Sequence, residues 1–165
     1  MLREAGYPDG VTITIKCSTG AVEVMELLQH QFGLVGITLN IEPMEWGLLT
    51  DAVNADDFEL HYRTWTRQTD PERGINRQFI SYNNANIAGY NNPRVDELAI
   101  EAARTLDIEE RRQIYFEIQE ILAEELPAIF LWFGTFTSSY NNRIQNYRLD
   151  PYYCYRTFAH MWIDE

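Results

Sequence analysis

Cysteine is nearly absent from this chain of 165 residues, which holds only Cys17 and Cys154. Two thiols so far apart in sequence make no recognisable metal-ligand pattern. Nothing in the sequence brings their α-carbons within bonding reach, so a disulfide between them is left open. Histidine is equally sparse. His30, His61 and His160 stand isolated from one another and from both cysteines, and their spacing yields neither a zinc site nor a nucleophile pattern. Bases are few, 13 against 25 acids for a formal charge of -12. Such a chain repels a polyanion, which excludes nucleic acid as a partner. The acidity serves solubility or the attraction of a cationic solute. No apolar run approaches the roughly 18 residues of a membrane span, and no basic-then-apolar leader opens the sequence.

Periodicity supplies what is present. Val11, Ile13, Ile15 and Cys17 alternate with Thr12, Thr14 and Lys16, the period of a strand with one face buried. Val24, Leu27, Leu28, Leu34 and Val35 then fall near helical spacing, with Ser18 or Thr19 to cap the start and Gly33 or Gly36 to end it. Ile37, Leu39 and Ile41 alternate again until Pro43 removes a donor. A strand, helix and strand in this order predict a crossover between two parallel strands. A short helix is expected over Trp46 to Asn54 and a further strand from Phe58 to Trp65. Thr66 to Asn92 lacks a period, and a loop this long is usually functional or mobile.

Asn92 and Pro93 open a helix whose apolar stripe is Val95, Leu98, Ala99, Ala102 and Leu106. Asp107 with Glu110 resembles a capping box and opens another, with Ile114, Ile118, Ile121 and Leu122 facing inward. The two read as an antiparallel pair. Pro127 ends the second, and Ala128-Ile129-Phe130-Leu131-Trp132-Phe133 is an apolar run expected to form a strand buried on both faces. From Thr137 onward the composition shifts to Asn, Tyr and Arg, giving an aromatic tail of weak periodicity through Trp162.

The segment from Phe58 to Pro93 concentrates recognition chemistry. An aromatic at a strand end, Trp65, is followed by a bend, Thr66-Arg67-Gln68-Thr69-Asp70-Pro71-Glu72, that carries guanidinium, amide and carboxylate groups. That combination offers a stacking face beside orienting hydrogen bonds. Trp65 is read as the first ligand contact, against the alternative of a core tryptophan. Arg67 either grips a carboxylate or sugar hydroxyls or is merely solvated. Asp70-Pro71 is a turn device, with Asp70 also a candidate for ligand contact. Trp46 and Trp132 sit in apolar frames and are read as core. His61 and Tyr62 should point to opposite strand faces.

Several ordered motifs together carry a resemblance. They are Glu4-Ala5-Gly6-Tyr7-Pro8-Asp9-Gly10, Val35-Gly36-Ile37, Glu42-Pro43-Met44-Glu45-Trp46, Asp57-Phe58-Glu59-Leu60, Trp65, Asp70-Pro71, Gly89-Tyr90-Asn91-Asn92-Pro93-Arg94-Val95-Asp96 and Ala123-Glu124-Glu125-Leu126-Pro127. Over nearly its whole length the chain resembles the bacterial extracellular solute-binding proteins of family 5, the dipeptide, oligopeptide and nickel receptors of ABC importers. The resemblance implies an α/β, periplasmic-binding-protein-like lobe with a mixed sheet flanked by helices. Family members are about three times longer, as a two-lobed receptor requires. The expectation is therefore a C-terminal lobe over 1–136 and a tail, 137–165, that returns to a missing N-terminal lobe and is partly mobile or packed on another molecule. Met1-Leu2-Arg3-Glu4-Ala5, which reads as the last turn of a helix, agrees with a truncated start. In oligopeptide receptors of this family an Asp stands three residues after the Trp and pairs with the peptide α-amino group, where this chain has Gln68. Some relatives carry a carboxylate-binding Arg where this chain has Tyr62. Both differences point away from the simplest peptide pattern.

The resemblance implies a solute receptor that closes about a hinge on a small polar solute, such as a peptide or oligosaccharide, and presents the closed form to a membrane permease. It needs neither cofactor nor metal. The full-length parent would be periplasmic or extracellular, lipid-anchored or soluble. Two other readings stand beside this one. A small hydrolase could use Asp57, Asp70 or Glu72, although no spacing here pushes two carboxyl pKa values apart. The aromatic tail, Tyr140 to Trp162, could instead mediate homo-oligomerisation.

Overall fold

The computed structural model describes residues 2–65, 68–135, 137–150 and 155–164, with the side chains of 155 and 156 left aside. The chain forms two compact units, Met1–Trp65 and Thr66–Glu165. Among the described residues no helix is long and apolar enough to cross a membrane.

The first unit is built on the strand-helix-strand element expected from periodicity. Strand β1 (Val11–Ser18) runs through a short helical turn (Thr19–Ala21) into helix α1 (Val22–Gly33), and strand β2 (Ile37–Met44) follows. The two strands pair in parallel over their full length, from Val11 opposite Ile37 to Ser18 opposite Met44. Gly10 and Gly36 set the start of this ladder. Gly10 has φ +89, and a Cβ there would lie 2.5 Å from the Gly36 carbonyl oxygen, which accepts from Val11 N–H at 3.2 Å. Only glycine fits such an approach in the left-handed region. Helix α2 (Trp46–Asn54) has the expected bounds, and strand β3 (Leu60–His61) pairs in parallel with the other edge of β1, giving the order β2-β1-β3.

Ile15, Cys17, Ala21, Met25 and Leu39 form a core beneath α1, with Leu60 and Tyr62 packed against it. Met25, not Leu27, is the helix residue fully enclosed; Leu27, Leu34 and Val35 are exposed, because the buried stripe of α1 follows Ala21 and Met25 and the helix stops at Gly33. The Ser18 side chain accepts no capping hydrogen bond, and α1 begins after Ala21, because the chain enters it through the short turn. The opposite face of β1 carries Lys16, only 8% exposed, whose ammonium lies 2.8 Å from the Asp57 carboxylate just beyond α2. Leu49 and Val53 of α2 are buried outside the α1 cluster. The two helices thus cover opposite faces of the sheet, and the centre of β1 is buried on both, as a central parallel strand requires.

In the second unit the segment read as a long loop contains a wide helical turn (Glu72–Asn76) running into helix α3 (Arg77–Phe79), and Phe79 and Ile80 enter the core. Helix α4 (Pro93–Arg104) begins as predicted. Asn92 Oδ1 accepts from Arg94 N–H at 2.9 Å and Val95 N–H at 3.4 Å, with Pro93 in the first turn. Helix α5 (Ile108–Glu125) is capped by Asp107, whose Oδ1 accepts from Glu110 N–H at 2.9 Å. Arg94, at the start of α4, pairs with Glu117 at 2.6 Å, and Glu125, at the end of α5, accepts from Tyr90 Oη and Asn92 Nδ2, which makes the helices antiparallel. Val95, Leu98, Ala99, Ala102, Ile114, Tyr115, Ile118 and Leu122 form the seam. Leu106 does not join it and is 95% exposed, because α4 ends at Arg104.

Residues 128–133 do not form the doubly buried strand that their composition suggests. No strand pairs with them among the described residues, and Ile129, Phe130, Trp132 and Phe133 are exposed. A parallel-type strand needs neighbours on both edges to satisfy its backbone, and none of the described strands lies beside this run. Trp132 is accordingly not a core residue. Leu126, at φ +49, turns the chain out of α5 before Pro127. The tail contributes an antiparallel ribbon, strands β4 (Ile144–Gln145) and β5 (Trp162–Ile163), closed by Asp164 N–H donating to the Arg143 carbonyl at 2.7 Å.

Candidate functional site

The carboxyl ends of the three parallel strands are where an open α/β sheet offers a crevice, most of all where consecutive connections leave in opposite directions. In the order β2-β1-β3 that point lies between β1 and β3. The residues leaving β3 are Tyr62, Arg63, Thr64 and Trp65, and the residue opening α2 beyond the end of β2 is Trp46.

Trp65 is 48% exposed and so is not a sealed core side chain. Trp46, expected in the core, is 52% exposed. It sits on the first turn of α2, whose buried side belongs to Leu49 and Val53. Between the two lies a residue that the sequence did not single out. The Arg63 guanidinium carbon stands 5.6 Å from the Trp46 ring centroid and 5.8 Å from that of Trp65, within cation-π range of both. Two half-exposed indoles flanking one cation form a surface that can stack on planar groups and hydrogen-bond their substituents.

Tyr62 lies on the other side of this strand end, half-buried against the core beneath α1, and its N–H donates to the Lys16 carbonyl at 2.9 Å. His61 is half-buried edge-on to Phe58, with ring centroids 4.7 Å apart. The alternation predicted for His61 and Tyr62 holds: Leu60 and Tyr62 face the α1 core and His61 does not. His61 Nδ1 is buried without a hydrogen-bond partner. Desolvation, helped by the charge of nearby Arg63, holds its pKa below the ordinary imidazole value.

Gln68 and Asp70 belong to the second unit, and Arg67 lies outside the described residues. Gln68 is exposed. Asp70 makes the turn expected of it, accepting from Glu72 N–H at 2.9 Å. Its two oxygens also accept from Arg111 at 2.7 and 3.1 Å in a fork. That guanidinium, foremost, and then the Glu72 amide hold the Asp70 carboxyl below the usual carboxylate range. Arg111 in turn lies 5.4 Å over the Tyr115 ring. Two of the three acids named for a hydrolase are tied up, Asp57 by Lys16 and Asp70 by Arg111. Cys17 is fully buried as a free thiol, its pKa raised by desolvation, and Cys154 lies outside the described residues. His30 is exposed on α1 and His160 is exposed in the tail beside Asn146, Arg148 and Thr157. Among the described residues no group of three or more His, Cys, Asp or Glu side chains is placed to hold a metal ion.

No family model matches the chain. Comparison with characterised proteins finds glutathione-binding protein GsiB of Salmonella choleraesuis (strain SC-B67), 28% identical over 164 positions that cover 92% of this chain and 32% of that one. Among solved structures, the periplasmic binding protein DppA from Helicobacter pylori, in complex with the peptide STSA, superposes with a TM-score of 0.70 at 26% identity, covering 76% of this chain and 26% of DppA. The oligopeptide-binding protein AppA from Bacillus subtilis, bound to a nonapeptide, shares the fold with a TM-score of 0.78 at 21% identity, over 99% of this chain and 36% of its own. The chain spans about a third of the length of the curated relatives it matches. Its parallel sheet with flanking helices is that of a periplasmic-binding-protein lobe, and over about a third of their length the chain is similar to these solute-binding proteins.

Proposed function

We propose that this chain is one lobe of the substrate-binding component of an ABC importer, taking up a small, polar, peptide-like solute and delivering it by hinge closure to a membrane permease. The observation that carries the reading is the pair of half-exposed tryptophans, Trp46 and Trp65, flanking Arg63 at the carboxyl edge of the parallel sheet. A face of that kind suits a solute with planar amide groups, which stack on indole while their edges remain free to hydrogen-bond. GsiB is named for glutathione and DppA was solved with a peptide, which supports peptide-like chemistry over a sugar.

Gln68 belongs to this reading as a neutral partner. A charge-assisted hydrogen bond is about twice as strong as a neutral one, so an amide here gives a free α-amino group less purchase than a carboxylate would. Arg67 is assigned to solute contact on its chemistry alone, and Asp70 to holding the bend through Arg111. Tyr62 is assigned to solute contact on its place at the strand end, three residues before Trp65, alone. Residues 1–136 would be the C-terminal lobe and 137–165 would cross to its counterpart. The parent protein would reside in the periplasm, as the description of DppA suggests. Binding works here by population shift, the solute favouring the closed state because it touches both lobes, and no bond is made or broken.

Native mass spectrometry of the full-length parent, purified from its host without added solute, tests this directly. A retained mass in the range of a short peptide supports the proposal. Retention of a sugar or a metal chelate would replace the solute class, and turnover of ester, glycoside or phosphate substrates would replace the proposal itself.

A further inference from the structure

Phe133 is 102% exposed, and Phe130 and Trp132 beside it are 66% and 55% exposed. The run that carries them is nevertheless rooted on the second unit. Ala128 packs against the core between α4 and α5, and the Phe130 ring meets Phe79 edge-on with centroids 6.2 Å apart. No strand pairs with the run among the described residues. Proteins blunt an open apolar segment with a lysine, another charge or a proline. Here no charged residue occurs in 126–142, although the chain carries 25 acids and 13 bases, and Pro127 stands before the run rather than in it. Residues 128–133 are apolar, uncharged and free of proline and glycine, the composition of a segment that pairs with its own kind.

The area on offer matches what a second copy needs. At about 200 Å² per aromatic side chain, Phe130, Trp132 and Phe133 present about 450 Å², and Leu126, Ile129 and Leu131 raise this to about 700 Å². Two copies together offer about 1,400 Å², within the range of about 1,200–2,000 Å² that stable protein pairs bury.

We propose that residues 129–133 form a self-association surface whose partner is the same segment of a second copy of this chain, the two running antiparallel about a two-fold axis at Leu131. Charge decides between occupants. Two copies that each carry a formal charge of -12 repel, so they meet most readily where neither presents a carboxylate, and 126–142 is such a stretch. A cationic partner is drawn to the acids instead and gains nothing from an apolar run. The two-fold contact uses one surface on both copies and closes at two. In this register Leu131 faces its own copy, and Phe130 stands opposite Trp132 of the other chain as an aromatic cross-strand pair.

Sedimentation velocity of the 165-residue chain over a dilution series, at roughly 0.05 M and roughly 0.5 M sodium chloride, tests this. A dimer is expected, and the higher salt should tighten it by screening the repulsion between copies. Phe133→Asp, at a side chain that supports no packing in the monomer, should weaken the dimer by about a hundredfold or more while its circular dichroism stays that of the wild type. Leu131→Cys in a Cys154→Ser background should give a disulfide-linked dimer in oxidising buffer, because residues at the two-fold centre lie within bonding reach, and Glu120→Cys in the same background should not. A wild-type chain that is monomeric at about 100 µM in the higher salt overturns the proposal. So does a dimer that Phe133→Asp leaves intact, which would place association elsewhere, the 140–162 tail included, and so does a mass that grows beyond two copies. A monomeric chain that instead binds the remainder of its parent protein, added separately, and loses that binding in Phe133→Asp would give the run to the parent's own segment and overturn the second copy as its occupant.

Discussion

Replacing Asp57 by Asn should destabilise the first unit out of proportion to the exposure of the residue replaced. The Asp57 side chain is 75% exposed, and by that measure the substitution belongs among surface changes of less than about 0.5 kcal/mol. Its partner is not on the surface. The Lys16 side chain is 10% exposed, in the middle of β1 between Ile15 and Cys17, and among the described residues the carboxylate that meets it is Asp57 Oδ2 at 2.8 Å. An exposed ion pair is worth about 0.2–1 kcal/mol, and stranding a wholly buried charge costs about 3–5 kcal/mol. With one partner buried and the other wet, the expected loss is about 2 kcal/mol. Urea unfolding followed by circular dichroism measures it. Lys16→Met provides the control, because an apolar chain of similar length removes the stranded charge and should restore most of the loss in the double variant, to within about 1 kcal/mol of wild type. Should Asp57→Asn unfold at the wild-type midpoint, or should the double variant be as unstable as the sum of the two single ones, the account of Lys16 as a buried cation dependent on Asp57 fails.

Three further outcomes follow from other parts of the molecule. His61 has a folded-state pKa below the ordinary imidazole value of about 6.5, so the unfolded chain binds its proton first; stability is fully present above about pH 6.5 and is lost as pH falls through the lowered folded value. His61→Phe should flatten the stability profile between pH 7 and 5, and an unchanged slope there would show that His61 is not desolvated as described. Asp70 has a depressed folded pKa as well, so its pairing with Arg111 stabilises above the ordinary carboxylate value of about 3.9 and is lost in more acidic solution. Asp70→Asn should cost about 1 kcal/mol at neutral pH, a figure held low because the pair is partly solvent-screened, and little at pH 2, as read by denaturant midpoints. Asn92→Ala removes the oxygen that caps α4 and should lower stability by about 1 kcal/mol, whereas Asn92→Asp should be nearly neutral; equal losses in both would mean that Asn92 matters through Glu125 rather than through the helix end.

The parts of the fold that could be read in the sequence are those set by neighbours in the chain. Alternation gave β1 and β2, and Pro93, Asn92 and Asp107 marked helix starts because each acts on backbone groups within a few residues, whereas β2 does not stop at Pro43 but stays paired with β1 through Met44. What could not be read depended on long-range partners. Composition alone made 128–133 look like a buried strand, but whether an apolar run is buried depends on a neighbouring strand, and among the described residues none pairs with it. Trp46 looked like core because its sequence neighbours are apolar, yet its place on α2 turns it outward. Arg63 was missed because nothing local distinguishes it: its meaning comes from Trp46, brought to it by the strand order β2-β1-β3. The role of Asp70 was half legible. The turn is a two-residue interaction, and Arg111 lies 41 residues away.

Trp65 decides between a solute surface and ordinary packing, and the measurement that separates them compares the full-length parent with its Trp65→Ala variant, each examined for retained solute by native mass spectrometry and for unfolding by calorimetry. The account predicts that the wild type keeps its solute and that the variant, weakened by about tenfold or more through the lost stacking face, is recovered empty while still folding cooperatively. A variant that folds and retains solute as fully as the wild type would contradict it.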